Sequence, residues 1–211
     1  QADFKRMLAY SSVEHMGILA LGIGIGGLAG YGSMLHAVNH SLTKGMLFLA
    51  AGNILAACRT KSTLAARDLL RRLPVSGLLW LVGFLAITGS PPFGPFLSEL
   101  TILKGMLDAG NVAVAVGYLL ALAVVFVGMA SVVLQMLYAP VEAVELAGDA
   151  ASHEAAPRVK GRAAEPQREP EPLWSIVPPL ALAAAVLVLG LWVPAPLAEM
   201  LQRAAAVVGV N

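Results

Sequence analysis

The chain has 211 residues, of which 58% are hydrophobic and 13% charged, with a formal net charge of +1 and a mean hydropathy of +0.76. Ordinary soluble domains carry about 25% charged residues. The composition of this chain therefore excludes a soluble domain and indicates an integral membrane protein that contacts lipid. The near-neutral charge gives no support to nucleic-acid binding. The single cysteine, Cys58, excludes an internal disulfide, a four-cysteine zinc site or a cysteine-ligated iron–sulfur cluster held by this chain alone.

The first predicted span covers residues 13–30 and is rich in glycine, which allows close helix contact in a bilayer. Its G-x-G-x-x-G string begins at Gly22, but no strand precedes it and no acidic residue follows at the required distance. A nucleotide-binding loop is therefore not indicated. Because the chain starts at Gln1 without the features of a signal peptide, we interpret it as a fragment that lacks upstream helices.

The second predicted span covers residues 34–58 and follows a turn at 30–33. His36, His40 and Lys44 recur in it at every fourth residue, so a helix would place them along one stripe. An ionisable side chain at membrane depth costs about 2.5 to 3.5 kcal/mol on insertion scales. Three of them in one stripe indicate an ion or proton path.

The third predicted span, residues 77–107, is interrupted near its middle. Two apolar runs, 77–88 and 96–107, are each too short to cross a bilayer, but together they match one crossing. The segment 89–95 cannot continue a helix because of its glycines and prolines, which are Gly89, Pro91, Pro92, Gly94 and Pro95. We predict one discontinuous helix, a feature that transporters use for ion sites, with Glu99 on its second half.

The remaining chain adds two spans and a polar segment. Residues 112–138 carry no charge and are predicted to be scaffold, whereas residues 139–172 are polar and predicted to form a loosely ordered linker. A last span, 173–193, precedes an amphipathic tail, 194–211. The fold class predicted is all-α integral membrane, with about five transmembrane helices of which one is discontinuous.

Orientation follows from basic residues in short loops. Lys5 and Arg6 flank one end of the first span, and five more basic residues occupy the loop between the second and third spans. Two crossings separate these clusters, so both fall on one side, which the positive-inside rule identifies as cytoplasmic. The linker 139–172 is then predicted to be cytoplasmic.

Five residues are candidates for a proton pathway: Lys5, His36, His40, Lys44 and Glu99. Histidine titrates near neutrality, and burial can bring lysine and carboxylate groups into that range, so such groups can pass protons through water chains. Each has an alternative. Lys5 can anchor a helix end at the interface, the histidines can be packing residues or metal ligands, and Glu99 can cap the second half-helix.

Two further ionisable residues, Lys104 and His15, lie nearer to predicted span ends and are interpreted as anchors or packing residues. No catalytic residue, cofactor or bound metal is predicted for this chain.

Three strings resemble the antiporter-like membrane subunits shared by respiratory NADH:quinone oxidoreductase, multisubunit cation/proton antiporters and membrane-bound hydrogenases. They lie within residues 3–107, about half of the chain, and the later residues resemble the family only in general plan. The strings are Asp3-Phe4-Lys5-Arg6-Met7-Leu8-Ala9-Tyr10-Ser11-Ser12 with His15-Met16-Gly17, His36-x-x-x-His40-Ser41-Leu42-x-Lys44 with Leu47-Phe48-Leu49 and Gly52, and Pro91-Pro92-Phe93-Gly94-Pro95-Phe96-Leu97-Ser98-Glu99.

The resemblance implies a proton-translocating subunit without a redox centre of its own, in which residues 1–138 are the C-terminal part of the antiporter-like domain. It also implies other membrane subunits and a peripheral redox arm with iron–sulfur clusters as partners, in the cytoplasmic membrane of a bacterium or archaeon. Lys5, Lys44 and Glu99 would belong to a polar axis bridged by the histidines. With a glutamate at position 99, the chain most resembles hydrogenase-4 component F and its relatives.

Two alternatives stay open. A cation/proton antiporter subunit would use the same axis to exchange sodium for protons. A structural membrane scaffold would retain the helices without a working path. The family's first broken helix, with its glutamate and lysine pair, is absent from these 211 residues.

Overall fold

The computed structural model describes residues 2–139, 168 and 170–208, and within these the regular structure is entirely helical, with one isolated bridge between Asp3 and Ser62. The helices are α1 (Phe4–Ile25), α2 (Gly27–Cys58), α3 (Leu69–Arg72), α4 (Pro74–Ile87), α5 (Gly94–Asp108), α6 (Val112–Tyr138), α7 (Leu173–Leu191) and α8 (Ala195–Val207). Four of them, α1, α2, α6 and α7, are long and apolar enough to cross a membrane, and α4 is a shorter apolar helix. The predicted all-α membrane fold is confirmed.

The first helix begins earlier than predicted and the turn after it lies elsewhere. Asp3 caps α1, since its carboxylate accepts from the backbone N–H groups of Lys5 at 2.8 Å and Arg6 at 3.1 Å. The chain reverses at Gly26, whose φ of +85° favours glycine. The predicted turn at 30–33 is therefore wrong, because these residues lie inside α2, where Gly32 packs closely against α5.

The start of α1 lies beside the loop that follows α2. Phe4 donates its backbone N–H to the carbonyl of Lys61 at 3.2 Å, and Thr63 donates to the carbonyl of Ala2 at 3.0 Å. The basic residues at the start of α1 and in this loop are thus at one end of the helix bundle.

The predicted third span consists of α4 and α5, with the helix interrupted between Ile87 and Gly94. Gly89 adopts a φ of +65° within this interruption. Gly94 and Pro95 are a correction to the predicted break: they form the first turn of α5, where proline is favourable because its N–H has no helical partner. Glu99 therefore lies beyond the first turn, and no side chain caps α5.

Helix α2 is central and packs against α1, α4, α5, α7 and α8. Small residues bring it close to α5, since a Cβ at Gly32 would lie 2.9 Å from the backbone nitrogen of Ile102, and one at Gly105 would lie 2.7 Å from the Cα of Ala29. A large apolar cluster centred on the fully buried Trp80 fills the space among α1, α2, α4 and α6. The close approach of α2 and α5 positions the polar residues described below.

The C-terminal helices cover the break. A Cβ at Gly190 of α7 would contact the carbonyl oxygen of Pro92, so α7 lies directly against the interrupted backbone. Glu171 accepts from the backbone N–H groups of Val75 at 3.0 Å and Ser76 at 2.8 Å, and so caps the start of α4. The predicted linker otherwise lies mostly outside the described residues.

Candidate functional site

A continuous row of buried polar side chains runs along one face of α2. Its members recur at helical spacing toward α1 and α5, and they are Ser33, His36, Asn39, His40, Thr43 and Lys44. Each is less than a tenth exposed. Buried polar groups require hydrogen-bond partners, and α1 and α5 supply them to Lys44, His36 and Asn39.

Lys44 finds its partners on α1. Its Nζ donates to the backbone carbonyl of Leu8 at 2.5 Å and to the Oγ of Ser11. The carboxylate of Glu14, one turn further along α1, lies within electrostatic range of this ammonium group. Lys44 therefore ends the polar row, with its ammonium group bonded to two neutral oxygens and the carboxylate of Glu14 nearby.

Three histidines cluster in the middle of the bundle. His15 of α1 lies between the two histidines of α2, with its Nδ1 2.9 Å from the Nε2 of His36 and its ring centroid 4.5 Å from that of His40. All three rings are buried. His15 was interpreted from the sequence as an anchor or packing residue, and the structure instead places it in direct hydrogen-bond contact with His36.

The row continues to α5 through Ser98. The Nδ1 of His36 lies 2.9 Å from the Oγ of Ser98, whose hydroxyl donates to the carbonyl of Pro95 at 2.9 Å. Asn39 donates to the carbonyl of Gly94 at 2.7 Å. These bonds fix the start of α5 to α2 at the level of the histidines.

Glu99 follows Ser98 and is also buried. Its carboxylate lies against Gly89, where a Cβ would contact Oε2, and its Oε1 has no hydrogen-bond partner among the described residues. The hydroxyl of Tyr118 is likewise buried without a partner within this part of the chain. Both residues line a cavity of about 330 Å³ between the helix break, α5 and α6. Several waters fit in this volume, since each takes about 30 Å³ in the liquid.

Of the five candidates from the sequence, four lie in or beside the polar row and one lies away from it. His36, His40 and Lys44 share the α2 row, and Glu99 lies beside its α5 end. Lys5 lies in the first turn of α1, and the described residues offer its ammonium group no hydrogen bond or ion pair. Lys104 forms an exposed ion pair with Asp108 at 2.5 Å, away from the row.

Sequence reasoning missed Glu14, His15, Ser98 and Tyr118. The Asp3 cap was a usable signal for two of them, because a helix that begins at Phe4 carries Glu14 and His15 to its middle. Ser98 stood in one of the resembling strings but was given no role, because its contact with His36 joins two different helices, and no sequence feature marked Tyr118.

The nitrogen atoms of the three histidines lie within 4.8 Å of one another, close enough to share a metal ion. The group contains no carboxylate or thiolate, and the ammonium of Lys44 is within electrostatic range of His40. Two of its ring nitrogens already contact each other and a third contacts Ser98. Three imidazoles are also a known ligand set for zinc, but the nitrogens of this cluster that face each other and Ser98 are engaged in contacts that suit proton exchange.

Comparison with known proteins gives a match over much of the chain. A family model described as NADH:quinone oxidoreductase/Mrp antiporter, transmembrane, matches residues 1–127, which is more than half of the chain. The match contains α1 to α5 and most of α6, and therefore every residue of the polar row.

Individual relatives extend the comparison. A hydrogenase-4 component F homolog from Methylacidiphilum infernorum is 46% identical over 103 residues, which is 48% of this chain and 22% of the relative. The structure of a membrane-bound sulfane sulfur reductase, an archaeal respiratory membrane complex, contains a chain with a TM-score of 0.77 and 26% identity, matched over 99% of this chain and 38% of that one. A chain of the Mrp complex from Dietzia sp. DQ12-45-1b shares the fold, with a TM-score of 0.78 and 21% identity over 98% of this chain and 43% of that one. The 211 residues thus match less than half the length of each of these relatives.

Proposed function

Because this chain belongs to the NADH:quinone oxidoreductase/Mrp antiporter transmembrane family, we propose that it is part of a proton-translocating membrane subunit of a redox-driven complex of the hydrogenase-4 type. The protons would move along the buried row from Lys44 through the histidines to Glu99. The observation that carries the proposal is the continuity of this row. Ionisable groups are costly at membrane depth, and here they lie side by side on three helices.

The row contains short steps that suit proton transfer. Lys44 and His40 lie one helical turn apart on α2, and the His40 ring packs against that of His15. The Nδ1 of His40 has no hydrogen-bond partner among the described residues, so water would join His40 to its neighbours in the row. The contacts from His15 to His36 and from His36 to Ser98 are both 2.9 Å, a hydrogen-bond distance when one of the two facing atoms carries a proton and the other accepts it. Water in the cavity beside Glu99 would complete the connection to the membrane surface.

Each group has a distinct role in this proposal. Lys44 is the loading group, whose charge would respond to changes in field or hydration caused by the redox partner. The histidines pass the proton on, because one ring nitrogen can accept while the other donates. Glu99 is the terminal group that releases it toward the cavity. Lys5 would act at the entrance, at the end of the bundle where the basic residues gather.

The proposal includes the setting of the subunit. Other membrane subunits of the complex, and a peripheral arm with iron–sulfur clusters that supplies the driving reaction, would be its partners. The basic end near Lys5 would face the cytoplasm. One of the structures described above belongs to an archaeal respiratory membrane complex, which supports a bacterial or archaeal cytoplasmic membrane.

The test is proton translocation by the full-length protein in its complex, measured in inverted membrane vesicles with a pH-sensitive dye. We expect Lys44→Ala and Glu99→Gln each to lower the translocation rate by about 100-fold or more, the usual effect of losing a proton-transfer group. Lys104→Ala is the matched control, because Lys104 lies outside the row and is exposed. Unchanged pumping in the first two variants would leave a structural scaffold as the better explanation.

The same vesicles separate the sodium alternative. A proton pump retains its translocation rate when sodium is replaced by choline, whereas a sodium/proton antiporter loses it. No described contact favours sodium, so we retain the proton pump as the proposal.

A further inference from the structure

We infer that Glu14 is a second proton-exchanging carboxylate, which connects a hydrated cavity between α1 and α6 to Lys44. The inference rests on the proposed function and adds a side entrance to it. It is carried by three features of the structure: an unpartnered carboxylate oxygen, an adjoining cavity, and a position between the two ends of the polar row.

The carboxylate of Glu14 is incompletely satisfied. The residue is half-buried, and its Oε2 is inaccessible and without a hydrogen-bond partner among the described residues. A buried polar atom without a partner costs about 1 to 3 kcal/mol, and more when charged. Such an atom requires either a water molecule or a bound proton, and a group that can hold either is suited to proton exchange.

A cavity of about 310 Å³ adjoins this carboxylate. Its α1 wall carries Tyr10, Ser11 and Glu14, so three polar side chains line one side. Its α6 wall is apolar and includes Gly128. The cavity can hold several waters, and polar groups on one wall give those waters partners.

The cavity reaches Lys44 through a shared neighbour. Ser11 lines the cavity and accepts a hydrogen bond from the Nζ of Lys44. Water in the cavity would therefore contact both Glu14 and the hydroxyl that holds the lysine. Once Lys44 has given its proton to the row and is a neutral amine, a proton from Glu14 would have only this hydroxyl and the cavity water to cross before it reaches the Nζ.

The position of Glu14 also distinguishes it from a simple counter-ion. It lies within electrostatic range of Lys44 at one end of the row and of Glu99 at the other. A negative charge on Glu14 favours a proton at both ends, and its neutralisation disfavours a proton at both. Proton uptake by Glu14 would therefore be coupled to proton release from the row.

The test uses two substitutions, on different helices, that should each interrupt proton transfer between the cavity and Lys44. Glu14→Gln removes the exchangeable proton and retains the shape. Gly128→Leu fills the cavity from α6 and changes no titratable side chain, and a Cβ at this position meets nothing within 4 Å. Gly117→Leu is the matched control, because Gly117 has equal space on the same helix but does not line the cavity. All variants are made in the full-length protein and assayed as the assembled complex.

We expect Glu14→Gln and Gly128→Leu each to lower proton translocation per electron by about 10-fold or more, below the effect of a lost proton-transfer group at the end of the path. Glu14→Asp should restore most of it, and Gly117→Leu should leave it unchanged. Infrared difference spectra of the complex should show a carboxyl band that disappears in Glu14→Gln and shifts in Glu14→Asp, which a merely structural residue would not produce.

The outcomes separate this inference from the proposed function. If Lys44→Ala and Glu99→Gln abolish pumping while Glu14→Gln leaves it intact, the row works without Glu14 and the inference is wrong. If Glu14→Gln impairs pumping but Gly128→Leu does not, the cavity is not the entrance and the inference is also overturned. If Lys44→Ala and Glu99→Gln leave pumping unchanged, the proposed function itself fails.

Discussion

A substitution at Gly89 tests whether pumping depends on the position of the Glu99 carboxylate. Gly89 has a φ of +65°, and a Cβ there would lie 2.8 Å from the Cδ of Glu99, with Oε2 closer still. Alanine at this position therefore causes two effects. It strains the backbone by about 1 to 2 kcal/mol, the cost of a side chain in the left-handed region, and it forces the carboxylate of Glu99 to move.

Gly110 separates the two effects. It lies just after α5, has a φ of +74°, and a Cβ there would meet nothing within 4 Å. Gly110→Ala thus carries the same backbone strain without the contact. We expect both variants to lose about 1 to 2 kcal/mol of stability, measured as a similar fall in the temperature at which the purified complex loses activity.

Pumping should respond differently in the two variants. Displacement of a reacting group by about 1 Å can cost 100-fold in rate, so Gly89→Ala should lower proton translocation by about that factor while Gly110→Ala stays near the wild type. The double variant Gly89→Ala with Glu99→Gln should be no worse than Glu99→Gln alone, because both act on one carboxylate. Equal pumping by the two alanine variants, with the complex assembled in both, would refute the reasoning.

Three further predictions concern the packing around the row. Ser98→Ala leaves His36 without its α5 partner, so pumping should fall by roughly 10-fold. This factor corresponds to about 1.4 kcal/mol, which is within the usual cost of an unsatisfied buried group. Ser131→Ala, which removes only a local bond of an exposed serine, should have no effect in the same vesicle assay. Gly190→Val pushes α7 away from the helix break, so heat stability of the complex and pumping should both fall, and retention of both would show that α7 does not support the break. Trp80→Ala leaves a cavity in the main apolar cluster and should cost about 3 kcal/mol of stability, seen as a lower inactivation temperature, whereas Trp174→Ala, at a side chain that is 90% exposed, should change it little.

Local patterns predicted much of the helical framework. The apolar run 112–138 matches α6 at both ends, and α7 begins at Leu173 as predicted. These segments are long, apolar and bounded by polar residues, which a sequence displays directly. His36, His40 and Lys44 occur at every fourth residue, so helical geometry alone places them on one face of α2.

The errors arose where one residue type serves two purposes. Glycine near position 30 was interpreted as a turn, but Gly32 permits the close contact with Ile102, and the reversal lies at Gly26. The distinction depends on which helix packs against which, and that information is not local. His15 was misjudged for the related reason that its neighbours lie 21 residues or more along the chain.

The contact between Gly190 and the interrupted backbone has a consequence for biogenesis. Helices α1 to α6 precede α7 in the nascent chain, so they leave the translocon before the helix that shields the break is synthesised. Peptide groups that lack helical partners are unfavourable in hydrocarbon, and until α7 arrives those near Pro92 must be shielded by something else, such as water, lipid headgroups or an insertion factor. A ribosome stalled before Leu173 should therefore expose this segment to proteases or to chemical labels, and release of the stall should protect it.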